Sequence, residues 1–318
     1  MQGTLQKSRV PFGFVVYYLT DICYNKNNSL IMPTCGEGKT VSVKKKIRII
    51  AVTILLILVT VWLVWENQTL VRTDYQVASR NLPQAFDGYR IVQISDLHNT
   101  RFGKGNARLL ELISQAQPDM IAITGDLIDS RRTNVAAALE FAKAAAEIAP
   151  CYYVTGNHEI RDEDTKALLA GLERAGVMVL SGQILRIEEE NQWIYLAGID
   201  DTSLVSKKPE SESDVAAQML DPLQTSHYSI LLSHRPEPFP VYGEYQFDLT
   251  LTGHTHGGQI RLPWLGGIFA SGEFFPEYDA GLFQQGDTAM VVSRGLGNSL
   301  FPVRINNLPE VVVVTLTR

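Results

Sequence analysis

Cysteine is scarce in this sequence. Only three occur in 318 residues, and Cys151 is the only one beyond residue 48. The main part of the chain therefore cannot close an intramolecular disulfide. Cys151 stands in an apolar run, and we interpret it as an ordinary buried thiol without a chemical role.

Positive charge is also scarce over most of the chain. Residues 1–48 carry eight Lys and Arg against two Asp and Glu, and the whole chain carries 28 against 34, which leaves 20 against 32 beyond residue 48. The charge of that part is therefore 20 − 32 = −12, whereas the whole chain has −6. An acidic domain is a poor ligand for a phosphate backbone, so we expect no nucleic acid as a partner.

Long apolar runs are absent except for one, Ile49–Trp65, which has 17 uncharged residues. It follows the sequence KKKIR, and few basic residues come directly after it. This pattern predicts a transmembrane helix over 47–66, with the N-terminus in the cytoplasm and the acidic domain outside. A buried core helix is the alternative, but no polar face interrupts the run.

The helix divides the chain into predicted regions. Residues 1–46 form an N-terminal cytoplasmic segment, residues 67–83 a linker, and residues 84–318 the main domain. Residues 1–42 show no helical or strand period, and an alternative start lies at Val43. We hypothesise that 1–42 is a leader absent from the native protein; a peptide containing Cys23 in the mass spectrum of that protein would contradict this.

Short apolar runs alternate with amphipathic segments from about residue 84. The runs at 89–95, 119–124, 151–155, 193–198, 228–233 and 248–252 read as buried strands, and the segments at 106–117, 134–148 and 164–176 read as helices. Later runs at 289–293 and 310–316 add strands with little helix. The expected fold is α/β, a layered β-sandwich of two mixed sheets flanked by helices.

Polar residues that can bind metal follow most of these runs, where the predicted strands end. Five of the six histidines lie at such positions, in the sequences SDLH, GDLID, GNHE, SHRPEP and GHTH. Because open α/β sheets bind ligands outside the carboxyl ends of their strands, we expect these residues to converge on one crevice.

The donor types in this set indicate metal chemistry. Carboxylate, imidazole and amide donors without a thiolate suit Mn²⁺, Fe or Zn²⁺. Seven candidates are too many for one tetrahedral zinc ion. Two divalent ions about 3.5–4 Å apart, which share a carboxylate, explain them better, and such pairs catalyse phosphoryl hydrolysis.

Taken in order, D-x-H, G-D-x-x-D, G-N-H-[DE], a lone histidine and G-H-x-H resemble the motifs of the calcineurin-like metallophosphoesterases. The similarity runs from about residue 84 to the end. The closing segment 293–316 and the single anchor further resemble the membrane-associated bacterial branch of that family. Some members of that branch act as UDP-2,3-diacylglucosamine pyrophosphatases.

The resemblance implies a role for each matching residue. One metal would be held by Asp96, His98 and His256, the other by Asn157, His234 and His254, and Asp126 would bridge the two. His158 would face the scissile phosphate as a catalytic group, and Asp129 would support the site by hydrogen bonding.

Simpler interpretations compete at several positions. Asp96, Asp126 and Asn157 are residue types that also favour turns and caps, although their order among the histidines argues for ligands. Glu159 is better explained as a complement to a helix dipole than as a catalyst. For Asp129, a helix cap competes with support of the site.

Residues outside the motifs carry weaker signals. His227 is interpreted as a solvated or packed histidine, and Arg235 and Arg294 as ordinary arginines rather than phosphate ligands. The aromatic segment 262–278 is interpreted as core beneath a long connection, with an apolar wall for an acyl chain as the alternative.

Three classes of function stay open. The favoured one is a membrane-tethered phosphohydrolase with two divalent ions, which cleaves a phosphodiester or pyrophosphate of a lipid, nucleotide sugar or wall polymer by attack of a hydroxide that the ions generate. The second is a metal-dependent protein phosphatase. The third is a non-catalytic scaffold whose metal site has decayed, against which the intact set of candidates argues.

Overall fold

The computed structural model describes residues 42–205, 212–270, 272–298 and 301–318. The predicted leader 1–42 lies outside the described residues except for Ser42. The chain divides into two compact units, Met1–Leu56 and Ile57–Arg318. The described part of the first unit is the beginning of helix α1, which spans Val43–Gln68.

Helix α1 has 26 residues and is long and apolar enough, by length and composition, to cross a membrane. The predicted span 47–66 lies inside it. Most of its large apolar side chains between Ile47 and Trp65 are exposed. The helix is therefore not a buried core helix, the alternative left by the sequence.

Two mixed sheets of six strands each form the core of the second unit. In spatial order the first contains β1 (Val71–Ala78), β16 (Glu310–Thr317), β2 (Arg90–Ile94), β3 (Met120–Thr124), β4 (Cys151–Val154) and β5 (Val177–Val179). The second contains β14 (Gly281–Gln285), β15 (Thr288–Val292), β9 (Leu249–Thr252), β8 (Ser229–Leu232), β7 (Gln192–Gly198) and β6 (Gln183–Glu189). Strands β2 to β5 are parallel to one another, and so are β7, β8, β9 and β15.

Helices cover the outer faces of both sheets. The first sheet packs against α2 (Ala107–Gln115), α3 (Val135–Ala146) and α5 (Thr165–Arg174), and the second against α6 (Glu212–Leu220) and α7 (Phe239–Glu244). A further short helix, α4 (Asn157–Arg161), follows β4. The layers are thus helix, sheet, sheet and helix, which confirms the predicted α/β sandwich of mixed sheets with flanking helices.

Each central strand is apolar on both faces because both are covered. In β3, Met120 and Ala122 point into the core between the sheets, whereas Ile121 and Ile123 pack against the helices. The continuous apolar runs that predicted buried strands arise from this double coverage.

The structure differs from the prediction at the segment 67–83, which was interpreted as a linker. This segment contains β1, which pairs in parallel with β16 along its whole length, from Val71 with Glu310 to Ala78 with Thr317. The strand lies at the edge of the sheet, and its side chains alternate between partly buried and exposed until Val77. Because the residues on the exposed side are polar, the strand does not form a continuous apolar run in the sequence.

The interpretation of the aromatic segment as core is wrong. The segment forms two short hairpins, β10 (Arg261–Leu262) with β11 (Gly266–Gly267) and β12 (Phe269–Ala270) with β13 (Glu273–Phe274), which we call the aromatic hairpins. Trp264 at the first tip is 101% exposed and Phe274 is 69% exposed. Backbone pairing within the hairpins replaces the core packing that aromatic content had suggested.

A buried polar bridge joins the two sheets beneath the ends of their central strands. The side-chain amide of Gln93 in β2 donates to Thr252 O in β9 at 2.7 Å and to Thr124 Oγ1 in β3 at 3.1 Å. Buried amides need such partners, so this contact fixes how the strand ends face one another. The loops that follow these strands carry the predicted ligands.

Candidate metal centre

The structure brings all seven predicted ligands to one edge of the sandwich, where parallel strands of both sheets end. The first sheet contributes Asp96 and His98 after β2, Asp126 after β3 and Asn157 after β4; the second contributes His234 after β8, and His254 and His256 after β9. His158, the predicted catalytic residue, follows Asn157 in α4. Except for His254, which is half-buried, all are buried.

Four of these residues form a first cluster that can hold a metal ion: Asp96, His98, Asp126 and His256. His98 Nε2 lies 3.1 Å from His256 Nε2, 3.5 Å from Asp126 Oδ2 and 3.9 Å from Asp96 Oδ1. His256 Nε2 lies 3.4 Å from Asp96 Oδ1. Two imidazole nitrogens and two carboxylate oxygens therefore point at a common centre.

The hydrogen bonds around this cluster fit a cation. The Nδ1 atoms of His98 and His256 each lie 3.2 Å from a backbone carbonyl, those of Ile128 and Gly297, and such contacts place the imidazole proton on Nδ1. Burial lowers the pKa of both imidazoles to about 3, so both are neutral. Two Nε2 lone pairs then face each other, a contact that a positive ion between them resolves.

Asp96 is a further residue whose surroundings suit a cation. Its Oδ2 accepts from Ser95 Oγ at 2.6 Å and from the backbone N–H of His254 at 3.2 Å. Its Oδ1, which faces the two histidines, is buried without any hydrogen-bond partner. Buried carboxylate oxygens are costly to leave unpaired, and a bound cation would pair this one.

The other predicted ligands gather around His234, which also contacts Asp126. His234 Nε2 lies 3.4 Å from Asp126 Oδ2 and 3.1 Å from His254 Nδ1. His234 Nδ1 lies 2.8 Å from Thr124 O, which orients the ring. Because Asp126 Oδ2 is almost equally far from His98 and from His234, it stands between two groups of donors, as a bridging carboxylate must.

Electrostatics at this carboxylate favour a positive charge. Burial alone would raise the pKa of Asp126, but the imidazole of His234 holds that pKa well below its ordinary value. Burial alone would likewise lower the pKa of His234, but Asp126 raises it to about 10. The negative field that retains a proton on His234 would also attract a metal cation.

Asn157 completes the second group. Its amide oxygen, as placed, faces only hydrogen-bond acceptors, and turning the amide around would let its nitrogen donate to His254 Nδ1 at 2.8 Å. A cation bound between the amide oxygen and this imidazole would pair the oxygen without the turn, but the amide nitrogen would still face the donors His158 N and Arg161 Nη1. The amide oxygen can therefore serve as a metal ligand, whereas the contacts of the amide nitrogen favour the reversed amide.

Backbone strain is concentrated in this site. Five of the seven predicted ligands have positive φ angles: Asp96 at 52°, His98 at 45°, Asp126 at 53°, His254 at 70° and His256 at 50°. Non-glycine residues rarely adopt this left-handed conformation, and each such residue costs of order 1–3 kcal/mol. The surrounding packing holds the ligands in place against this cost.

Glu159 has a role that the sequence did not reveal. Its Oε2 accepts from the backbone N–H groups of Asp126 and Gly156, both at 2.8 Å, and its Oε1 accepts from that of Ile128 at 3.1 Å. Burial and the nearby Asp126 raise the pKa of Glu159 to about 7. One side chain thus fastens two ligand-bearing loops together, beyond the helix-dipole role that had been assigned to it.

His158 lies beside the first cluster, with its ring centroid 4.5 Å from that of His98. Its Nδ1 accepts from the backbone N–H of Ser130 at 3.0 Å, so the proton of the neutral imidazole lies on Nε2. Asp129 Oδ1 lies 3.3 Å from the same Nδ1 and accepts from Arg131 N at 3.1 Å. His98, Asp129 and His158 also lie close enough together to hold a metal, so they form a further candidate cluster that is distinct from the group of His234 and His254.

The helix-cap interpretation of Asp129 is wrong. Asn134 caps α3 instead, because its side chain accepts from the N–H of Ala137 at 3.1 Å. Asp129 closes a local turn and stands next to His158, the position that its alternative role requires.

The arginines near the site make structural contacts. Arg235 pairs with Asp201 and Glu212, each at 2.8 Å, and Arg294 pairs with Glu310 at 2.8 Å, in line with the interpretation that they are not phosphate ligands. Arg304 was not singled out by the sequence, yet it is completely buried behind His256.

The charge of Arg304 is balanced by oxygen dipoles. It donates to the carbonyls of Gly297 at 2.6 Å and Arg294 at 2.8 Å, and to the amide oxygen of Asn298 at 3.1 Å. Burial lowers its pKa to about 10. In the sequence, Arg304 lies outside every motif and looks like an ordinary surface arginine. No local pattern therefore predicts its burial.

The sequence of this chain is similar to those of known metallophosphoesterases. The family model for calcineurin-like phosphoesterases matches residues 89–258. The uncharacterised metallophosphoesterase YkuE of Bacillus subtilis is 33% identical over 259 residues, which cover 79% of this chain and 87% of that protein. Phosphodiesterase YaeI of Escherichia coli is 33% identical over 238 residues, which cover 72% of this chain and 82% of that protein. A transmembrane protein with a metallophosphoesterase domain from Danio rerio is 28% identical over 304 residues, which cover 92% and 68%.

Close glycine packing behind Asp96 yields a test of the site. A Cβ added at Gly253 would overlap Ser95 Oγ and Asp96 Oδ2, whereas one added at Gly243 would meet only Thr288 Oγ1, at 3.8 Å. Neither glycine has a positive φ, so the two substitutions differ mainly in space. We expect Gly253→Ala to displace Asp96 and lower the metal content of protein loaded with Mn²⁺, measured by inductively coupled plasma mass spectrometry. Gly243→Ala should retain the wild-type content; equal metal in both variants would contradict this packing role.

Proposed function

This chain belongs to the calcineurin-like phosphoesterase family and is a metal-dependent hydrolase of phosphoester bonds, and we propose that it works with two divalent ions while anchored to a membrane by α1. The bond it cleaves is a phosphodiester or a pyrophosphate. One observation carries the proposal: the buried Asp126 Oδ2 lies 3.5 Å from His98 Nε2 and 3.4 Å from His234 Nε2. A single carboxylate oxygen between two groups of donors suits a bridge between two ions.

The proposed ligand sets follow the two groups. Asp96, His98 and His256 would hold one ion, Asn157, His234 and His254 would hold the other, and Asp126 would serve both. Imidazole, carboxylate and amide donors suit Mn²⁺, Fe or Zn²⁺, and an ion bound by His234 would displace the proton that Asp126 otherwise holds on this imidazole. When bound, such ions supply an activated water and neutralise charge that develops on the phosphate. The chain's own contribution is to fix the donors in their strained positions before substrate arrives.

His158 is proposed as the proton donor. The Ser130 N–H bond to Nδ1 leaves the proton on Nε2, and the edge-to-face contact with His98 keeps the ring at the first cluster. Donation requires the imidazolium, in which Nδ1–H would pair with Asp129 Oδ1 at 3.3 Å and the Nε2 proton would pass to the departing oxygen of the substrate, leaving a neutral ring. Asp129 positions the ring from the Nδ1 side.

The membrane anchor is supported by α1 and by two relatives. Proteins from Danio rerio and Bos taurus that are named as transmembrane proteins with a metallophosphoesterase domain match this chain. The lysines at 44–46 precede the apolar stretch, a bias that places the N-terminus in the cytoplasm and the catalytic domain outside. The proposed regions are the cytoplasmic segment 1–46, the membrane helix and the domain 84–318, to which β1 from the former linker adds an edge strand.

For the substrate we propose a phosphoester of a lipid or nucleotide sugar, of which UDP-2,3-diacylglucosamine is one example. The name of the Escherichia coli relative, a phosphodiesterase, supports a diester. A membrane anchor places the catalytic domain next to lipids, which supports an amphiphilic substrate over a freely diffusing one.

The orientation predicts which side of the membrane a protease must reach. Protease added outside spheroplasts that make this protein should digest the domain beyond Asn67, because the positive charges before α1 stay in the cytoplasm. Loss of the full-length band on immunoblots measures the digestion. A domain that is cut only after the membrane has been permeabilised has the opposite orientation.

The bridging role of Asp126 predicts a ranking of variants. Asp126→Ala removes a ligand from both ions and should lose more metal, and more activity on bis-p-nitrophenyl phosphate, than His98→Ala, which removes a ligand from one. His227, an exposed histidine whose ring contacts those of Trp193 and Tyr195, provides the control, and His227→Ala should retain both metals and full activity. An Asp126→Ala protein that still holds two metals per chain would rule out the bridge.

The role of His158 is tested with leaving groups that differ in their need for a proton. A positioned imidazole contributes about 10²–10⁴-fold as a general acid, and only a poor leaving group needs that proton. His158→Ala should therefore lose far more rate on an alkyl diester than on a p-nitrophenyl ester, while its metal content stays unchanged. The same fractional loss on both esters would show that His158 only stabilises charge, and loss of metal would make it a ligand.

A further inference from the structure

The aromatic hairpins expose an unusual amount of apolar surface close to the metal centre. The first begins five residues after His256, and its tip carries Trp264 and Leu265, which is 66% exposed. The second carries the exposed Phe274 and ends next to Phe275. Exposed aromatic groups in such number mark a surface that binds an apolar partner.

Backbone conformation supports a selected role for these side chains. Trp264 has a φ of 68° and Phe275 a φ of 55°. Bulky residues in the left-handed region are outliers, and they persist where structure or function imposes them. Glycine would adopt this conformation without strain but would provide no side chain. The two exposed aromatic side chains are therefore kept at a conformational cost.

A small cavity lies behind the hairpins. It has a volume of about 260 Å³ and is almost entirely apolar. Its lining runs from Gly258–Ile260, next to the loop of His256, through Ile268, Phe269 and Phe274 to Phe301. The walls offer an apolar chain a place to bind next to the loop that carries His256.

The last residues of α1 are bonded to the segment that supports these hairpins. Glu66 Oε1 accepts from Asn307 N at 3.0 Å, and Asn67 Oδ1 accepts from Arg304 N at 2.9 Å. Ile305 in turn exchanges backbone hydrogen bonds with the base of the first hairpin, at Gln259 and Arg261. The end of the apolar helix and the base of the hairpins are therefore joined through residues 304–307.

We propose that the aromatic hairpins are a lipid-binding surface, which rests on the membrane that holds α1 and whose cavity takes one acyl chain of the substrate. The proposal rests on the proposed membrane anchor and names the substrate class as an acylated phosphoester. Tryptophan and phenylalanine next to the end of a membrane helix match the composition of surfaces that enter the headgroup region. The acyl chain in the cavity brings the phosphate of the same molecule to the loop of His256.

Tryptophan quenching by brominated lipid tests the membrane contact. Full-length protein in phosphatidylcholine nanodiscs is prepared as single-tryptophan variants that retain Trp65, Trp193 or Trp264, with phenylalanine at the other tryptophan positions. We expect brominated acyl chains to quench Trp65 in α1 and Trp264, but not Trp193, which packs against Arg186 and His227 in the domain.

The possible outcomes distinguish failure of the proposed membrane anchor from failure of the lipid-binding surface. Absence of quenching at Trp65 means that α1 is not in the membrane, and the proposed anchor fails. Quenching at Trp65 but not at Trp264 overturns the lipid-binding surface alone. Trp264 that is shielded from acrylamide but not quenched by lipid indicates a second protein copy on this face, which also overturns it.

The acyl chain is tested in the same nanodiscs with p-nitrophenyl methyl phosphate and p-nitrophenyl dodecyl phosphate, which share one leaving group. We expect kcat/KM to be at least tenfold higher for the dodecyl ester, and the ratio to fall severalfold in Phe301→Ser, which opens one wall of the cavity. Leu282→Ser, an exposed apolar position in β14 outside the cavity, should keep the wild-type ratio. A ratio that is the same in Phe301→Ser and Leu282→Ser excludes the cavity, whereas hydrolysis of neither ester excludes the proposed function itself.

Discussion

The site depends on one buried carboxylate, that of Asp126. It is 1% exposed, and a buried anion is unfavourable unless positive charge or hydrogen-bond donors compensate it. Its Oδ2 faces His98 and His234, and its Oδ1 accepts the backbone N–H of His158 at 2.8 Å. Glu159 accepts a hydrogen bond from the backbone N–H of Asp126 at 2.8 Å. Gly156 packs so closely against Asp126 Oδ1 that a Cβ at position 156 would overlap it. Much of the local architecture serves to keep this group charged and in place.

The strands and the metal centre were predictable because each left a local trace in the sequence. Strands such as β3 are covered on both faces, so their residues form continuous apolar runs, and the residues that follow them cannot be apolar if they bind an ion. Edge strand β1 left no such trace, because its partner β16 lies more than two hundred residues away and its exposed face is polar. Pairing at that distance is a tertiary contact that local pattern does not report.

The residues that support the site were harder to predict than the residues that form it. Glu159 acts through three backbone N–H groups on two loops, and Arg304 through the carbonyls of a third. Neither function needs a motif, since any loop backbone offers the same groups. The aromatic hairpins were misjudged for a related reason: aromatic content indicates contact with an apolar phase, but it does not say whether that phase is the protein core.

Each group of donors takes residues from both sheets. In the first group, Asp96 and His98 follow β2 while His256 follows β9; in the second, Asn157 follows β4 while His234 follows β8. An ion held by either group would therefore tie the two sheets together at the end where Gln93 already bridges them. Ligands that bind only the folded state stabilise it, so metal binding and sandwich stability are coupled through the same strand ends. The strained, left-handed conformations of the predicted ligands are tolerable at this edge because the two sheets, joined below them by a packed apolar core, fix the loops from both sides.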